Sequence, residues 1–380
     1  MAALVRSMLP FVVAFVVAAS LPKNLRAAEP PSLVYLDTSR QGTTDVWLIS
    51  ADGGSRRLAA TLSGAARPLD LRDTELLVAM GTAAVHVDLL SGLTTTVPIG
   101  ARVASGLLTA QHRGIFTTRA GCGPVDSKTR FGRLDFEAGT ATDAGTADAP
   151  GLEALWYQDD TGELLGALRG CDPGVSTLVT LNVAAGTESA RIPVAGCGWV
   201  ATAPDGRQAL ISFAFCGGGD FPELNVYSLP DGTRREVRFA KDAPSRHPFT
   251  YAPDGSAAAF GLALARDNPS GAAKSGGIWL LNTSDLTTRP LWQDSGQEAW
   301  AVDWSEEGTF IVAASVEAQS RCGYFVIDVA SQSATRVEGL TGCGTDGTLV
   351  GFADAPTTGH RPPGYALARS AGGTNDPAQR

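Results

Sequence analysis

Short apolar segments that each end in a small polar residue recur along the chain and predict β-strands followed by turns. The clearest are Trp47-Leu48-Ile49-Ser50 and Phe325-Val326-Ile327-Asp328, in which apolar side chains occupy consecutive positions. Strands that are apolar on both faces are typical of sheets packed between other sheets. The polar end residues of these segments, here called the anchors, are Ser50, Asp88, Asp135, Asn182, Ser228, Asn282 and Asp328.

The residue four positions after each anchor predicts a tight turn. Glycine stands there after the first five anchors, whereas Leu286 and Gln332 stand there after the last two. A hairpin turn often needs a positive φ, which glycine tolerates. Successive anchors recur about every 38 to 54 residues, and a period in the forties with several strands per unit is typical of a propeller blade.

A second kind of turn falls between the anchors. Ala203-Pro204-Asp205-Gly206 and Ala252-Pro253-Asp254-Gly255 are near copies, in which proline fixes φ and Asp-Gly closes the turn. Each unit is therefore predicted as strand A, tight turn, strand B, variable loop, strand C, glycine turn and strand D. The prediction is an all-β chain that forms a seven-bladed β-propeller of four-stranded antiparallel blades.

The two ends of the repeat complement each other. Blade 1 begins with a B strand at Leu33–Leu36, and an A-type strand at Leu349–Asp354 follows blade 7. We expect this C-terminal strand to complete blade 1 and close the ring, because that removes two open sheet edges. The propeller is assigned to residues 32–355, and residues 357–380, rich in glycine, proline and small polar residues, to a flexible tail.

These motifs resemble those of the TolB-type β-propellers. That repeat carries Ser/Ala-Pro-Asp-Gly and Asp-(Ile/Val)-(Trp/Tyr) followed by Asp-Gly-Gly, and the matching residues here are 203–206, 252–255, 45–47 and 52–54. The resemblance covers residues 32–355 and implies the propeller fold. Blade 1 starts within about ten residues of the N-terminal signal described next, so the resemblance does not extend to the N-terminal α/β domain of the full TolB protein or to its role in envelope integrity.

Residues 1–27 are predicted to be a signal peptide. Arg6 precedes an apolar run from Met8 to Leu21, and small residues at Ala27 and Ala28 suit a signal peptidase. The run is shorter than the roughly 20 residues that span a bilayer. We expect a secreted or periplasmic protein with no membrane span after signal removal; the alternative is an uncleaved anchor.

Composition and charge exclude several classes of protein. The 44 glycines and 22 prolines argue against long helices and coiled coils, and 44% apolar residues are ample for a core. A formal net charge of −9 is unsuited to binding the phosphates of a nucleic acid. We expect a monomer without a nucleic-acid partner.

The six cysteines predict disulfides, since an even number in an exported chain favours bridges. All six are predicted in the B–C or D–A connections, which lie on one face of a propeller. The preferred pairs join loops of the same or adjacent blades, with Cys171–Cys197 as the rival pairing: Cys122–Cys171, Cys197–Cys216 and Cys322–Cys343. There is no CxxC and only four histidines occur, so no metal or cofactor is expected.

The face that carries the B–C and D–A connections, here called the loop face, is the predicted binding surface. Its loops are long in blades 3 to 7, whereas the A–B and C–D turns of the opposite turn face are short. A mixture of aromatic, cationic and acidic residues is predicted at the channel mouth and suits a peptide or a sugar. The candidates are Arg67, Glu153, Trp199, Arg246, His247, Glu298 and Trp300. The alternative is that the tryptophans pack between blades and the charges are solvated.

The sequence favours a non-catalytic exported scaffold that binds a protein, peptide or glycan. It contains no Gly-x-Ser-x-Gly elbow, phosphate loop or HExxH motif. One alternative is a propeller enzyme, of lyase, lactonase or glycosidase type, with its site at the channel mouth, and another is a regulatory propeller that works beside a separate enzyme. An enzyme would draw its acidic and basic groups from Glu153, His247, Glu298 and Asp303.

Overall fold

The structure, a computed structural model, describes residues 31–110, 112–120, 128–169, 175–194, 199–212, 224–237, 249–262, 277–293, 299–316, 322–340 and 347–353. Regular structure in these ranges is entirely β. The strands form seven four-stranded antiparallel sheets, which are the blades of a propeller. The predicted fold class is therefore confirmed.

The first four blades follow one another along the chain, each with its strands paired in the order A-B-C-D. Their strands are, in blade 1, β1 (Ser32–Asp37), β2 (Thr44–Ile49) and β3 (Arg56–Leu62); in blade 2, β4 (Arg67–Arg72), β5 (Glu75–Met80), β6 (Ala83–Asp88) and β7 (Thr94–Pro98); in blade 3, β8 (Val103–Thr109), β9 (Arg113–Thr118), β10 (Lys128–Asp135) and β11 (Thr140–Asp148); and in blade 4, β12 (Gly151–Gln158), β13 (Glu163–Arg169), β14 (Val175–Asn182) and β15 (Thr187–Pro193).

The last three blades repeat this order. Their strands are, in blade 5, β16 (Val200–Thr202), β17 (Gln208–Ser212), β18 (Leu224–Ser228) and β19 (Arg234–Val237); in blade 6, β20 (Thr250–Tyr251), β21 (Ala257–Leu262), β22 (Gly277–Asn282) and β23 (Thr288–Gln293); and in blade 7, β24 (Ala299–Trp304), β25 (Phe310–Val316), β26 (Cys322–Asp328) and β27 (Ala334–Arg336).

The last strand closes the ring as predicted. β28 (Gly347–Ala353) pairs antiparallel with β1, with Leu33 opposite Phe352, and so supplies the A strand of blade 1. Both of these side chains are fully buried. The first and last strands thus share one sheet, and β28 covers the edge of β1 that would otherwise be open.

The anchors shape the C–D turns through their side chains. Oδ1 of Asp328, for example, accepts hydrogen bonds from the backbone N–H groups of Ala330 (2.9 Å) and Ser331 (2.8 Å). The residue four positions after the anchor takes a positive φ even where it is not glycine, at Leu286 (61°) and Gln332 (58°). The turn geometry is therefore the repeated feature, and glycine is its usual occupant.

Blade 1 departs from the predicted turn. Gly53, not Gly54, takes the positive φ of 76°, and its N–H bonds to the carbonyl of Ser50 at 2.8 Å. The Asp52 carboxylate also accepts a hydrogen bond from the N–H of Gly54. This turn closes one residue earlier than the others, so the prediction of Gly54 as the turn glycine was wrong by one position.

The core consists of apolar layers between neighbouring blades. The layer between blades 7 and 1 contains Leu33, Val312, Val326 and Phe352, all at most 4% exposed. Strands with apolar side chains on both faces bury both against adjacent sheets, as the consecutive apolar positions predict. This packing fixes the strand ends at the loop face and at the turn face relative to each other.

Candidate functional site

Of the residues predicted at the channel mouth, Arg67, Glu153, Trp199 and Trp300 belong to the described part of the chain. Arg246, His247 and Glu298 lie outside the described residues. The described ones stand at or beside the starts of A strands, where the repeat predicts them.

Arg67 links two blades. Its Nη2 donates to the backbone carbonyls of Val103 (2.8 Å) and Ala104 (3.0 Å) at the start of β8. Arg67 starts β4 in blade 2, so the guanidinium joins the A strands of blades 2 and 3. Hydrogen bonds from a charged group are stronger than those from a neutral one. This contact therefore gives Arg67 a structural role in joining blades 2 and 3.

Glu153 forms an ion pair within blade 4. Nε of Arg169 donates to Oε2 of Glu153 at 2.6 Å, and the two side chains are 20% and 13% exposed. The carboxylate is therefore neutralised by a cation that the sequence analysis did not predict. Together with the contacts of Arg67, this pair shows that two of the predicted charged residues form contacts within the propeller.

The tryptophans and Asp303 contact the frame. Trp300 is half-buried and packs on the core layer between blades 7 and 1, which favours the packing alternative for this residue. Trp199 is also half-buried, and its backbone exchanges two 3.0 Å hydrogen bonds with Ser212. Asp303 is 6% exposed, and its carboxylate accepts a hydrogen bond from the backbone of β28.

Cys322 is the one cysteine in the described residues. It begins β26, is fully buried and is disulfide-bonded. The other five cysteines lie outside the described residues, so the three proposed pairs stay predictions.

A second group of polar side chains, which the sequence analysis did not predict, lies on the turn face between blades 2 and 3. It consists of Glu75, His86 and His112, here called the His–Glu cluster. Glu75 begins β5 directly after the A–B turn of blade 2, and His86 lies near the end of β6. His112 lies in the A–B turn of blade 3 at a φ of 51°. Because blades 2 and 3 are neighbours in the ring, this turn lies beside the strands that carry the other two residues.

The donor atoms of the His–Glu cluster converge. Oε1 of Glu75 lies 2.6 Å from Nδ1 of His112 and 3.6 Å from Nε2 of His86. One ligand atom from each of the three residues lies within 4.8 Å of the others. The first distance is that of a charge-assisted hydrogen bond, and the second is too long for a hydrogen bond.

His86 is the buried member of the cluster. Its side chain is 8% exposed, against 21% for Glu75 and 59% for His112. The ring stacks on Phe136 with a centroid distance of 4.8 Å and an interplanar angle of 23°. Among the described residues, Nε2 of His86 has no hydrogen-bond partner although it is buried. A buried polar nitrogen normally has such a partner.

The two imidazoles lower the pKa of Glu75. Burial alone raises the pKa of this carboxyl, but its contacts with His86 and His112 outweigh burial and hold the pKa below the ordinary glutamate value. Glu75 is therefore ionised at neutral pH and offers an anionic oxygen to whatever lies between the two histidines.

Sequence reasoning missed the cluster because its members belong to different blades. The sequence predicts no metal because it has no CxxC and only four histidines, and residues 75, 86 and 112 are far apart along the chain. One signal was present: His86 is a polar residue between Val85 and Val87 in a strand otherwise buried on both faces. His112 comes to lie beside His86 only because blades 2 and 3 are neighbours in the propeller.

No helix in the described ranges is long and apolar enough to cross a membrane.

Comparison with known proteins supports the fold. No protein-family model and no curated protein matches the sequence. A 6-phosphogluconolactonase candidate from Bacteroides fragilis superposes with a TM-score of 0.53 at 13% identity, over 81% of this chain and 94% of that one. An oligogalacturonate lyase in complex with manganese superposes with a TM-score of 0.54 at 12% identity, over 78% and 83% of the two chains. At these identities the similarity shows a shared fold only.

TolB from Acinetobacter baumannii is also similar, with a TM-score of 0.45 at 13% identity over 85% of this chain and 67% of that one. A superposition this loose adds no argument. The seven blades themselves confirm the propeller fold that the TolB-type motifs imply. The protein is thus a seven-bladed β-propeller. This fold occurs in proteins of many functions, so the function depends on the particular residues of the site.

Proposed function

We propose that the protein is an exported, non-catalytic binding scaffold that holds a protein, peptide or glycan on its loop face. The observation that supports this is the contrast between the two ends of the blades. On the turn face, the described turns are short and closed by backbone hydrogen bonds, as in Gly206 N–H to Ala203 and Gly255 N–H to Ala252, both 2.9 Å. On the loop face, residues 213–223 and 263–276 connect strands that are directly paired.

The lengths of these connections exceed what the pairing requires. Leu262 lies opposite Gly277, and two residues suffice to join strands paired in this way. Long connections on a rigid scaffold are where binding residues are usually found.

The contacts at the channel mouth fit a scaffold better than an enzyme. The Glu153 carboxylate is paired with Arg169, and the Asp303 carboxylate accepts a backbone hydrogen bond from β28. Both carboxylates make structural contacts within the propeller, whereas a catalytic acid or base must be available to the substrate. The lactonase candidate and the lyase that share the fold keep the enzyme alternative worth testing.

The test is affinity capture from the exported fraction with the mature chain as bait. In the loop-face variant, an Asn-Gly turn replaces residues 263–276, which the pairing of Leu262 with Gly277 allows without distortion of the sheet. The matched control, Leu90→Ser with Leu93→Ser, alters exposed apolar side chains on the turn face, which are 58% and 71% exposed.

We expect the wild type and the turn-face control to capture the same component and the loop-face variant to lose it. Capture that survives in the loop-face variant and disappears in the control would overturn the proposal. Recovery of the captured peptide or glycan in cleaved form would favour the enzyme alternative.

A further inference from the structure

We propose that Glu75, His86 and His112 bind a divalent transition-metal ion, with Zn²⁺ as the ion that best suits the set. The site lies on the turn face between blades 2 and 3, so the inference goes beyond the proposed function of the loop face. It depends on three convergent donor atoms and on the buried Nε2 of His86, which has no hydrogen-bond partner among the described residues.

The donor set is that of a transition-metal site. Imidazole nitrogen and carboxylate oxygen are ordinary ligands of Zn²⁺, and two histidines with one glutamate recur in zinc sites that retain an open position. Ca²⁺ and Mg²⁺ prefer oxygen ligands throughout, so they suit this set poorly. A glutamate ligand supplies one negative charge toward the charge of the ion.

The distances are close to those that a bound ion requires. Ligand atoms about 2.0–2.1 Å from a tetrahedral Zn²⁺ lie about 3.3 Å from one another. Nε2 of His86 already lies 3.6 Å from Oε1 of Glu75, whereas Nδ1 of His112 lies 2.6 Å from it. The second pair has to separate by less than 1 Å on that scale, and the ligand atoms of the two histidines lie within 4.8 Å of each other. His112, which is 59% exposed, is the member of the cluster on the surface.

One residue holds both histidines in place. Phe136 follows β10, stacks on the ring of His86 and donates its backbone N–H to the carbonyl of His112 at 3.2 Å. Phe136 thus fixes the buried ring and restrains the turn that carries the exposed one.

The site has access to solvent. His112 is 59% exposed on its side chain, and Glu75 is 21% exposed. Three protein ligands leave a fourth position of a tetrahedral ion for water, as in zinc sites that bind exchangeable ligands. The ion would also join β5 and β6 of blade 2 to the A–B turn of blade 3, and so bind the folded ring more tightly than the unfolded chain.

The test uses the full chain without a polyhistidine tag, stripped with a chelator and titrated with Zn²⁺ alone by calorimetry. His112→Asn removes one ligand at an exposed position, and asparagine tolerates the positive φ of 51° found there. Glu75→Gln keeps the size of the side chain and removes its charge. His360→Asn is the matched control, since it deletes a histidine far along the sequence from the cluster.

We expect one Zn²⁺ per wild-type chain and a rise in the unfolding temperature when Zn²⁺ is in excess. Loss of a ligand should weaken Zn²⁺ binding at least about 100-fold in His112→Asn and in Glu75→Gln, since changes in the outer shell alone cost 10–100-fold. His360→Asn should bind as the wild type does. Circular dichroism establishes that each variant is folded.

Three results would overturn the proposal: no Zn²⁺ binding by the stripped wild type, equal binding by the folded His112→Asn variant, or loss of binding in His360→Asn.

Co²⁺ gives a second measurement, because its visible spectrum reports coordination. A tetrahedral Co²⁺ spectrum in the wild type that is absent from His112→Asn supports the site. An unchanged spectrum in that variant contradicts it.

Discussion

The carboxylate of Asp303 in β24 accepts a 3.0 Å hydrogen bond from the backbone N–H of Phe352 in β28. Asp70 does the same between blades 2 and 3, where it accepts a 2.7 Å bond from the N–H of Leu108. Both acids follow a β-bulge in their A strand. β28 therefore belongs to blade 1 through its pairing with β1 and is joined to blade 7 through Asp303.

Deletion of residues 346–356 should unfold or aggregate the protein. The deletion removes β28, leaves the edge of β1 unpaired and leaves the buried carboxylate of Asp303 without Phe352. An open edge strand is a site of aggregation, and a buried acceptor without its donor costs about 1–3 kcal/mol. Size-exclusion chromatography and thermal unfolding measure the outcome.

Deletion of residues 361–380 is the control and should leave a folded monomer. A stable monomer from the first deletion would contradict the role of β28.

The C–D turns offer a test of backbone strain. Gln332 is exposed and takes a φ of 58°, so Gln332→Gly should stabilise the fold by about 0.5–1 kcal/mol through relief of strain. Gly232 holds the equivalent position at 68°, and a Cβ there would meet nothing closer than 3.8 Å. Gly232→Ala should therefore destabilise by about 1 kcal/mol through φ alone. Urea unfolding measures both changes, and effects of the same sign would refute this explanation.

Asp328 should make the stability depend on pH. The hydrogen bond from the N–H of Ser331 is the main reason that the pKa of Asp328 lies below its ordinary value. Since the folded pKa is the lower one, the carboxylate stabilises the fold fully above the ordinary value of about 3.9, and this stabilisation is lost as the pH falls through the folded pKa.

Asp328→Ala should accordingly cost about 0.5–1 kcal/mol at pH 7, a modest amount because the turn is solvent-exposed. The cost should shrink as the pH falls below about 4, the ordinary pKa of an aspartate, and through the lower pKa of the folded state. Asp328→Asn keeps an acceptor oxygen without the charge, so it should recover only part of the lost stability and should show no pH dependence from this position. Urea unfolding at each pH provides the comparison, and a cost independent of pH would show that the charge has no part.

The cysteines should all be in bridges. We expect no free thiol in the mature protein unfolded without reductant, and reduction should lower the unfolding temperature without abolishing the fold. Each bridge adds about 2–4 kcal/mol to a ring whose apolar layers form independently of it. Peptide mapping of the non-reduced protein should find Cys322 joined to Cys343. Discovery of a Cys171–Cys197 bridge would refute the preferred pairing.

Much of the fold could be predicted from the sequence because the same pattern of strands and turns recurs in each blade of a propeller. The anchors mark the ends of the C strands, and the unpaired strand pattern after blade 7 predicted ring closure. The position of the turn in blade 1 could not be predicted, because both Gly53 and Gly54 permit a positive φ. The hydrogen bond from the N–H of Gly53 to Ser50 selects the first of them.

The sites were harder to predict because they depend on which blades are neighbours. The sequence placed Arg67 at the mouth but did not predict that it would bond to the carbonyls of β8. Arg169 and Glu153 are separated by one hairpin, yet their pairing follows from the register of β12 and β13. The His–Glu cluster needs contact between blades 2 and 3, which a single-blade repeat does not encode.

Binding through the loop face is the central claim, and backbone hydrogen exchange tests it most directly. Exchange is measured by mass spectrometry for the chain alone and in complex with the captured component. The claim predicts slower exchange in peptides that contain residues 213–223 and 263–276, with no change in the C–D turn that follows Asp88. Slower exchange in that turn, with none at the loop-face peptides, would contradict the claim.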